Sequence, residues 1–312
     1  MSVETSLDAN PLPGETPPRR AVLLVNTKSR RGQEWFELVQ TELAKHGLEV
    51  EKAQSFKRFP DMMAAAKAAI NRGVPLLIAG GGDGTFNGLA DLVVGKETVI
   101  GLLPLGTGNS LARDLGIVAD VAKACDVIAH GKVVSIDLGW ANGTHFVNVA
   151  TVGLTTRIAQ NLTNDMKKRL GRLVYAVAIF RAMRFSRPFK AKLVTEHGIH
   201  EFETLQFVIG NGRFHAGPFP IAPDASITSG TLNVYAVTGS SNWALVKYAL
   251  KLPGGHHIAL KEVYSERCDG GRLTTDPVKK VTVDGEVCAQ TPFEFRSIPK
   301  AMRIIVPQEF EG

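Results

Sequence analysis

At 312 residues the chain is long enough to bury two separate cores, and 44% hydrophobic with 21% charged residues is the balance of a globular protein, which excludes disordered and fibrous classes. A net charge of +6 is too modest to turn the whole surface toward polyanions, so the distribution of basic residues carries more information than their sum. No run approaches about 18 uninterrupted apolar residues, so no membrane-spanning helix is expected.

The first twenty residues, MSVETSLDANPLPGETPPRR, lack a basic start followed by an apolar stretch; they are expected to be a disordered leader (1–20) and not a secretory signal. From Ala21 short apolar runs alternate with helical ones. AVLLVN reads as a strand, and Glu34 to His46 sets Trp35, Val39 and Leu43 on one helical face. LEVEKAQ is a second strand, and an alanine-rich helix runs from Asp61 to Asn71 behind Pro60. PLLIAG, a helix over Thr85 to Val94, TVIGLLP and a helix over Ala119 to His130 complete the series. Continuous apolar strands alternating with helices predict a parallel sheet covered on both faces, an α/β domain over 21–130.

Beyond Gly131 the pattern changes. Asn142-Gly143 between two strand-like runs is a hairpin signal. Two helical stretches are expected at about 155–163 and 170–185. They are followed by strand candidates FKAKLVTE, HEFETLQFVIGN, GTLNVYAVT, KKVTVDGEV, PFEFRSI and AMRIIVP. So many strands without helices between them predict a mainly antiparallel β-sandwich over 131–312, with the last strands candidates to return to the first domain. Three cysteines, Cys125, Cys268 and Cys288, have no metal-ligand spacing and suit a reducing, cytoplasmic compartment as buried thiols. His256-His257 likewise lacks ligand spacing and reads as a loop.

Two glycine-rich loops carry the chemistry. IAGGGDGTFNGLADLV ends one predicted strand and enters a helix, where backbone amides and the helix N-terminus favour an anion. Glycines there remove the side chains that would keep a ligand away. Neither G-x-x-x-x-G-K-[ST] nor a complete G-x-G-x-x-G is present. Asp83 would repel phosphate unless a cation lay between them, which points to a Mg²⁺-nucleotide or to a hydroxyl whose proton the carboxylate accepts. The alternative is that Asp83 or Thr85 only caps the helix. The next strand ends in a second such loop, PLGTGNSLARDLG, and adjacent strand ends of an α/β sheet form the crevice where ligands bind.

GGGDGTFN followed after one strand by PLGTGNSLAR resembles the diacylglycerol kinase catalytic-domain family, which includes sphingosine, ceramide and bacterial lipid kinases. NTKSRRG from Asn26 to Gly32, the segment Ala222-Pro223-Asp224-Ala225 with Gly230-Thr231-Leu232, and VTVDGE from Val281 to Glu286 are similar to further family segments in the same order. The glycine motif alone is shared with NAD kinases and phosphofructokinases, so the resemblance implies an NAD kinase/phosphofructokinase-like first domain. The sandwich becomes the lipid-substrate domain, with ATP in the cleft between the two.

The implied activity is ATP-dependent phosphoryl transfer to a lipid hydroxyl, diacylglycerol-like or sphingoid. NAD kinase and a non-catalytic nucleotide- or lipid-binding homologue are the alternatives. The resemblance places Asn26, Lys28, Ser29, Gly81, Gly82, Gly84, Thr85, Gly106, Thr107, Gly108, Asn109 and Arg169 at the nucleotide, with Arg30 and Arg31 adding donors nearby. Asp83 and Asp284 become candidates to align or deprotonate the acceptor hydroxyl, and Asp83 and Glu286 to face Mg²⁺ carried by the nucleotide. Asp284-Gly285 also reads simply as a hairpin turn. Two positions depart from the family: Gly88 stands where it has glutamate, and Ser229 where an aspartate serves a structural metal site.

Between Met166 and Lys192 nine lysines and arginines occur without an acidic residue, beside an apolar stripe of Leu170, Leu173, Val174, Val177, Phe180 and Met183. Such a segment fits either peripheral docking on an anionic inner-membrane surface or a core helix with a solvated basic face. It lacks the interleaved aromatics of a nucleic-acid surface.

Overall fold

A computed structural model describes residues 14–27, 32–153, 187–215, 219–220, 225–238 and 260–312. The first unit runs β1 (Arg20–Asn26), α1 (Gly32–Lys45), β2 (Glu49–Phe56), α2 (Phe59–Asn71), β3 (Leu76–Gly81), α3 (Asp83–Val93), β4 (Val99–Pro104), α4 (Ser110–Asp114) and α5 (Val121–His130). The strands lie parallel in the order β2-β1-β3-β4. Every residue of β3 and β4 is buried, as it must be when helices cover both faces. The helices pack in pairs, α1 with α5 and α2 with α3. Leu23, Leu43, Met62, Leu77 and Phe86 lie in the core between these layers.

The second unit comprises β5 (Lys132–Ala141), β6 (Thr144–Phe146), β7 (Val149–Gly153), β8 (Phe189–Thr195), β9 (Gly198–Gly210), β10 (Phe214–His215), β11 (Phe219–Pro220), β12 (Leu232–Thr238), β13 (Val263–Cys268), β14 (Gly270–Asp276), β15 (Lys280–Val283), β16 (Glu286–Gln290) and β17 (Phe293–Val306). Its pairings are antiparallel, in the order β16-β15-β7-β9-β8-β14-β17 with β12 and β13 branching from β9. Alternate residues of β8 are buried, Phe189, Ala191 and Leu193 inward and Lys190 and Lys192 outward, the period a half-buried strand requires. Together with Phe146, Phe207, Phe293 and Phe295 they form a second, separate core. The chain thus has an α/β domain with a parallel sheet and a β-sandwich-like domain.

β17 joins the two. Its first half pairs with β14, and its second half lies parallel to β4 at Ile304↔Ile100 and antiparallel to β5. PFEFRSI and AMRIIVP are therefore one strand, with its register broken between Ile298 and Met302, where Lys300 takes φ +53. β13 and β14 carry no long apolar signature in sequence, because VYSERC alternates half-buried and exposed positions and GGRLTTD opens on two glycines. Asn142 and Gly143 do turn a hairpin between β5 and β6, both at positive φ.

The supposed leader is laid down over its last residues. Val133 donates its N–H to the Glu15 carbonyl at 2.9 Å, and the Glu15 carboxylate pairs with Arg303. The expected helices at 155–163 and 170–185, with most of the basic stretch, lie outside the described residues, as do Lys28, Ser29, Arg30, Arg31, Arg169, Ala222 to Asp224 and His256-His257. Among the described residues, no helix is long and apolar enough to cross a membrane.

Candidate active site

The two glycine loops touch. β3 and β4 are neighbours, so the turns beyond Gly81 and Pro104 emerge side by side. A methyl group on Gly82 would come within 3.1 Å of the Gly106 Cα, so this approach depends on glycine at both positions. Leu105 N–H bonds the Gly81 carbonyl at 2.8 Å and closes the seam.

Asp83 does not cap its own helix. Gly82 is the N-cap of α3 and the Asp83 side chain makes no capping bond there. Its Oδ1 crosses instead to the other loop and accepts the Ser110 N–H at 2.6 Å. That N–H opens α4, so Asp83 satisfies an orphan donor of a different helix and fastens the loops together. Thr85 is buried and bonds the Gly82 carbonyl through its N–H at 2.8 Å. Gly84 and Thr107 are exposed.

Asn109 stands in left-handed backbone (φ +50) and its amide is used within its own loop. Oδ1 accepts the Gly106 N–H at 3.1 Å, and Nδ2 donates to the Gly106 and Pro104 carbonyls at 2.9 and 3.4 Å. The Asn109 side chain therefore shapes the turn, which leaves the loop's backbone to face a ligand. Asn26 ends β1 on the same edge, and Thr27 beside it bonds the Phe56 carbonyl through its N–H at 2.8 Å.

The third component arrives from the sandwich. Asp284 and Gly285 have φ +45 and +93, so the hairpin-turn reading describes the backbone between β15 and β16. The turn also aims a carboxylate. Asp284 accepts backbone N–H bonds from Val147 at 2.8 Å, Asn148 at 3.1 Å and Val149 at 2.9 Å. The residue keeps some exposure, but the carboxyl is enclosed by these partners. Burial pushes its pKa from 3.8 up to about 6, against the pull of the three backbone donors and Asn148.

Asn87 ties α3 to the Asp284 carboxylate of the second unit. With its amide nitrogen toward the two oxygens, it donates to Asp284 Oδ2 at 3.2 Å and to the Asp83 carbonyl at 3.1 Å. In sequence Asn87 lies inside GGGDGTFN without an assigned role. Its place four residues after Asp83 on a helix, and so on the same face, is the signal that could have found it. Glu286 opens β16 and is exposed. Among the described residues the side chains that gather as three potential metal ligands are His46, Asp126 and His130, and neither Asp83 nor Glu286 belongs to that group.

The departures from the family have physical counterparts. A methyl group on Gly88 would lie 2.5 Å from Phe59 Cζ and 2.9 Å from Met63 Sδ, so this position lets α2 pack closely on α3. Ser229 Oγ donates to the Ser226 carbonyl at 2.9 Å and lies 3.0 Å from Thr231 Oγ1. The neighbouring Gly230 N–H goes to Asp137 Oδ2 at 2.6 Å, and the other Asp137 oxygen takes the Lys300 N–H at 2.8 Å.

Comparison with known proteins accords with this arrangement. A model described as the diacylglycerol kinase catalytic domain matches residues 20–141, and one described as the YegS C-terminal NAD kinase beta sandwich-like domain matches 148–306. The chain belongs to the diacylglycerol kinase catalytic-domain family. The diacylglycerol kinase of Bacillus subtilis (strain 168) is 28% identical over 254 residues, 80% of this chain and 83% of that one. The "Probable lipid kinase YegS-like" of Klebsiella pneumoniae (strain 342) is 28% identical over 292 residues, 93% of this chain and 96% of that one. A crystal structure of a diacylglycerol kinase from Bacillus anthracis str. Sterne has the same fold, with a TM-score of 0.73 at 22% identity, covering 92% of this chain and 97% of that one.

One further acid of the family's second loop was not singled out by sequence. Asp114 ends α4 and accepts the Arg213 N–H at 2.8 Å on Oδ1, while Oδ2 is buried without a hydrogen-bond partner. Burial raises its pKa from 3.8 to about 7, opposed by the backbone N–H groups of Arg213 and Phe214. Between these two values the folded chain holds a proton that the unfolded chain has released, so stability should fall as pH rises from about 4 to 7 and level off above that. One such group contributes a slope of at most about 1.4 kcal/mol per pH unit. Urea unfolding of Asp114→Asn across this range should lack that slope, and identical pH dependence in the two proteins would remove the assignment.

Proposed function

We propose that this chain is an ATP-dependent lipid kinase that transfers the γ-phosphate of ATP to a lipid hydroxyl, diacylglycerol-like or sphingoid. The observation that carries the reading is the contact of the two glycine loops, fastened by the Asp83 carboxylate on the Ser110 N–H. Phosphoryl transfer consists largely of positioning and charge neutralisation, and a side-chain-free cradle of backbone at strand ends suits a polyphosphate.

In this reading Asn26, Gly81, Gly82, Gly84, Thr85, Gly106, Thr107 and Gly108 surround the nucleotide. Asn109 holds the second loop in shape. Lys28, Ser29 and Arg169 supply further donors and cations. Asp83 and Asp284 sit on either side of Asn87, where one of them orients the acceptor hydroxyl and takes its proton as the new P–O bond forms. The oxygen donors of Asp83 and Glu286 suit a hard cation, so these two would face Mg²⁺. When bound, Mg²⁺ offsets negative charge on the phosphoryl group. The lipid is met by peripheral contact at a membrane surface, with the basic segment 166–192 as the docking element.

Transfer of labelled phosphate from ATP to vesicles containing diacylglycerol, sphingosine, ceramide or phosphatidylglycerol, with NAD as a soluble acceptor, tests the proposal. Labelled phospholipid from at least one vesicle type, and no NADP, is the expected result. NADP formation, or ATP binding with no labelled lipid, would overturn it.

A further inference from the structure

Away from the glycine loops, the far ends of α1 and α5 bring together three side chains to which the kinase reading gives no part. His46 follows α1, and Asp126 and His130 stand one turn apart near the end of α5. Their ligating atoms all lie within 4.8 Å of one another. Asp126 Oδ1 and His130 Nδ1 are 2.9 Å apart, and the two imidazoles meet edge to face with centroids separated by 5.0 Å. We propose that His46, Asp126 and His130 form a surface site for Zn²⁺, with water completing its coordination.

Three features of the geometry support this. The spacing i, i+4 on α5 sets Asp126 and His130 on one face, and a separate element contributes the third ligand, so a bound ion would cross-link two helices. The backbone at both histidines is held from behind: the Arg19 guanidinium donates to the His46 carbonyl at 3.1 Å, and the Gln308 amide to the His130 carbonyl at 2.7 Å. Both rings also lie at helix C-termini, whose carbonyls favour a cation.

The donor set decides the metal. Two imidazoles and one carboxylate suit Zn²⁺, whereas Mg²⁺ requires oxygen ligands, so the site discriminates against the ion that accompanies the nucleotide. A Zn–N bond of about 2.0 Å places tetrahedral ligands roughly 3.3 Å apart. Ligation would replace the Asp126–His130 contact and tie the last turn of α1 to that of α5. The other ends of those helices line a hollow together with Leu105 and Gly106 of the second loop, so the ion would brace the nucleotide-binding unit from its opposite side.

The test uses full-length protein stripped with chelator and titrated calorimetrically with Zn²⁺ in millimolar Mg²⁺. One equivalent should bind and raise the melting temperature. Asp126→Asn and, separately, His46→Ala should each weaken binding by about tenfold or more. Their transfer rates in zinc-free buffer should match that of the unaltered chain, because neither residue belongs to the catalytic machinery. Cobalt substitution gives an independent reading: ligand-field bands without sulfur charge transfer are expected, and both variants should lose them. Absence of binding in the unaltered chain, equal affinity in the variants, or a thiolate spectrum pointing to Cys288 would each overturn the site. The calorimetric, melting and cobalt readouts stand whether or not the lipid assay succeeds.

Discussion

Asp83→Asn should reduce phosphoryl transfer by about 10²- to 10⁴-fold, the usual range for loss of a general base, while the protein folds and melts nearly as before. Asparagine Oδ1 can still accept the Ser110 N–H that the carboxylate accepts at 2.6 Å, so the seam between the loops survives. What disappears is the negative charge, and with it the attraction for a cation and the ability to take a proton. Steady-state kinetics alongside thermal unfolding separate these outcomes. Turnover within about threefold of the unaltered chain would show that Asp83 is only the loop fastener the geometry already makes it.

Asp284→Ala should damage both stability and activity. Three N–H groups, from Val147, Asn148 and Val149, would lose their acceptor at once. With roughly 1 kcal/mol or more for each donor left unsatisfied, a destabilisation of about 3 kcal/mol is expected in urea unfolding. Asp284→Asn supplies the complementary measurement, since it keeps one acceptor oxygen and removes the charge.

The pH profile then separates the two acids. Burial holds the Asp284 carboxyl at about 6, above its ordinary 3.8, so the protonated form dominates below that value. If Asp284 takes the hydroxyl proton, kcat/KM should fall as pH drops through about 6, and Asp284→Asn should abolish that acid limb along with most activity. An unchanged limb in a still-active Asp284→Asn protein would leave the base assignment with Asp83. Ionising Asp284 works against folding as pH rises from about 4 to 6, so neutral pH favours the competent charge state at some cost to stability.

Much of this is legible in the sequence. The first unit declared itself because AVLLVN, PLLIAG and TVIGLLP are buried on both faces, and no other arrangement hides such runs. The glycine loops could be seen because their chemistry is local: glycines, one acid and a helix start within a few residues. What stayed hidden depends on partners remote in the chain. Asn87 looks like any polar helix residue until Asp284, 197 positions later, is placed beside it. Asn109 belongs to the second loop by its motif, but sequence does not show that its amide folds back onto Gly106 and shapes the turn. Gly88 read as a missing carboxylate, and its cause, Phe59 and Met63 lying against it, belongs to another helix.

The long final strand gives the molecule a property that neither domain has alone. β4 has β17 at its edge, and β14 uses the other half of the same strand. A cut after residue 141 would leave the catalytic unit with an uncovered apolar edge, open to pairing with other chains. The portion that resembles a self-sufficient kinase module is therefore not a transplantable part. Residues 293–306 complete the sheet that starts at residue 20, so neither unit can close before that strand is in place.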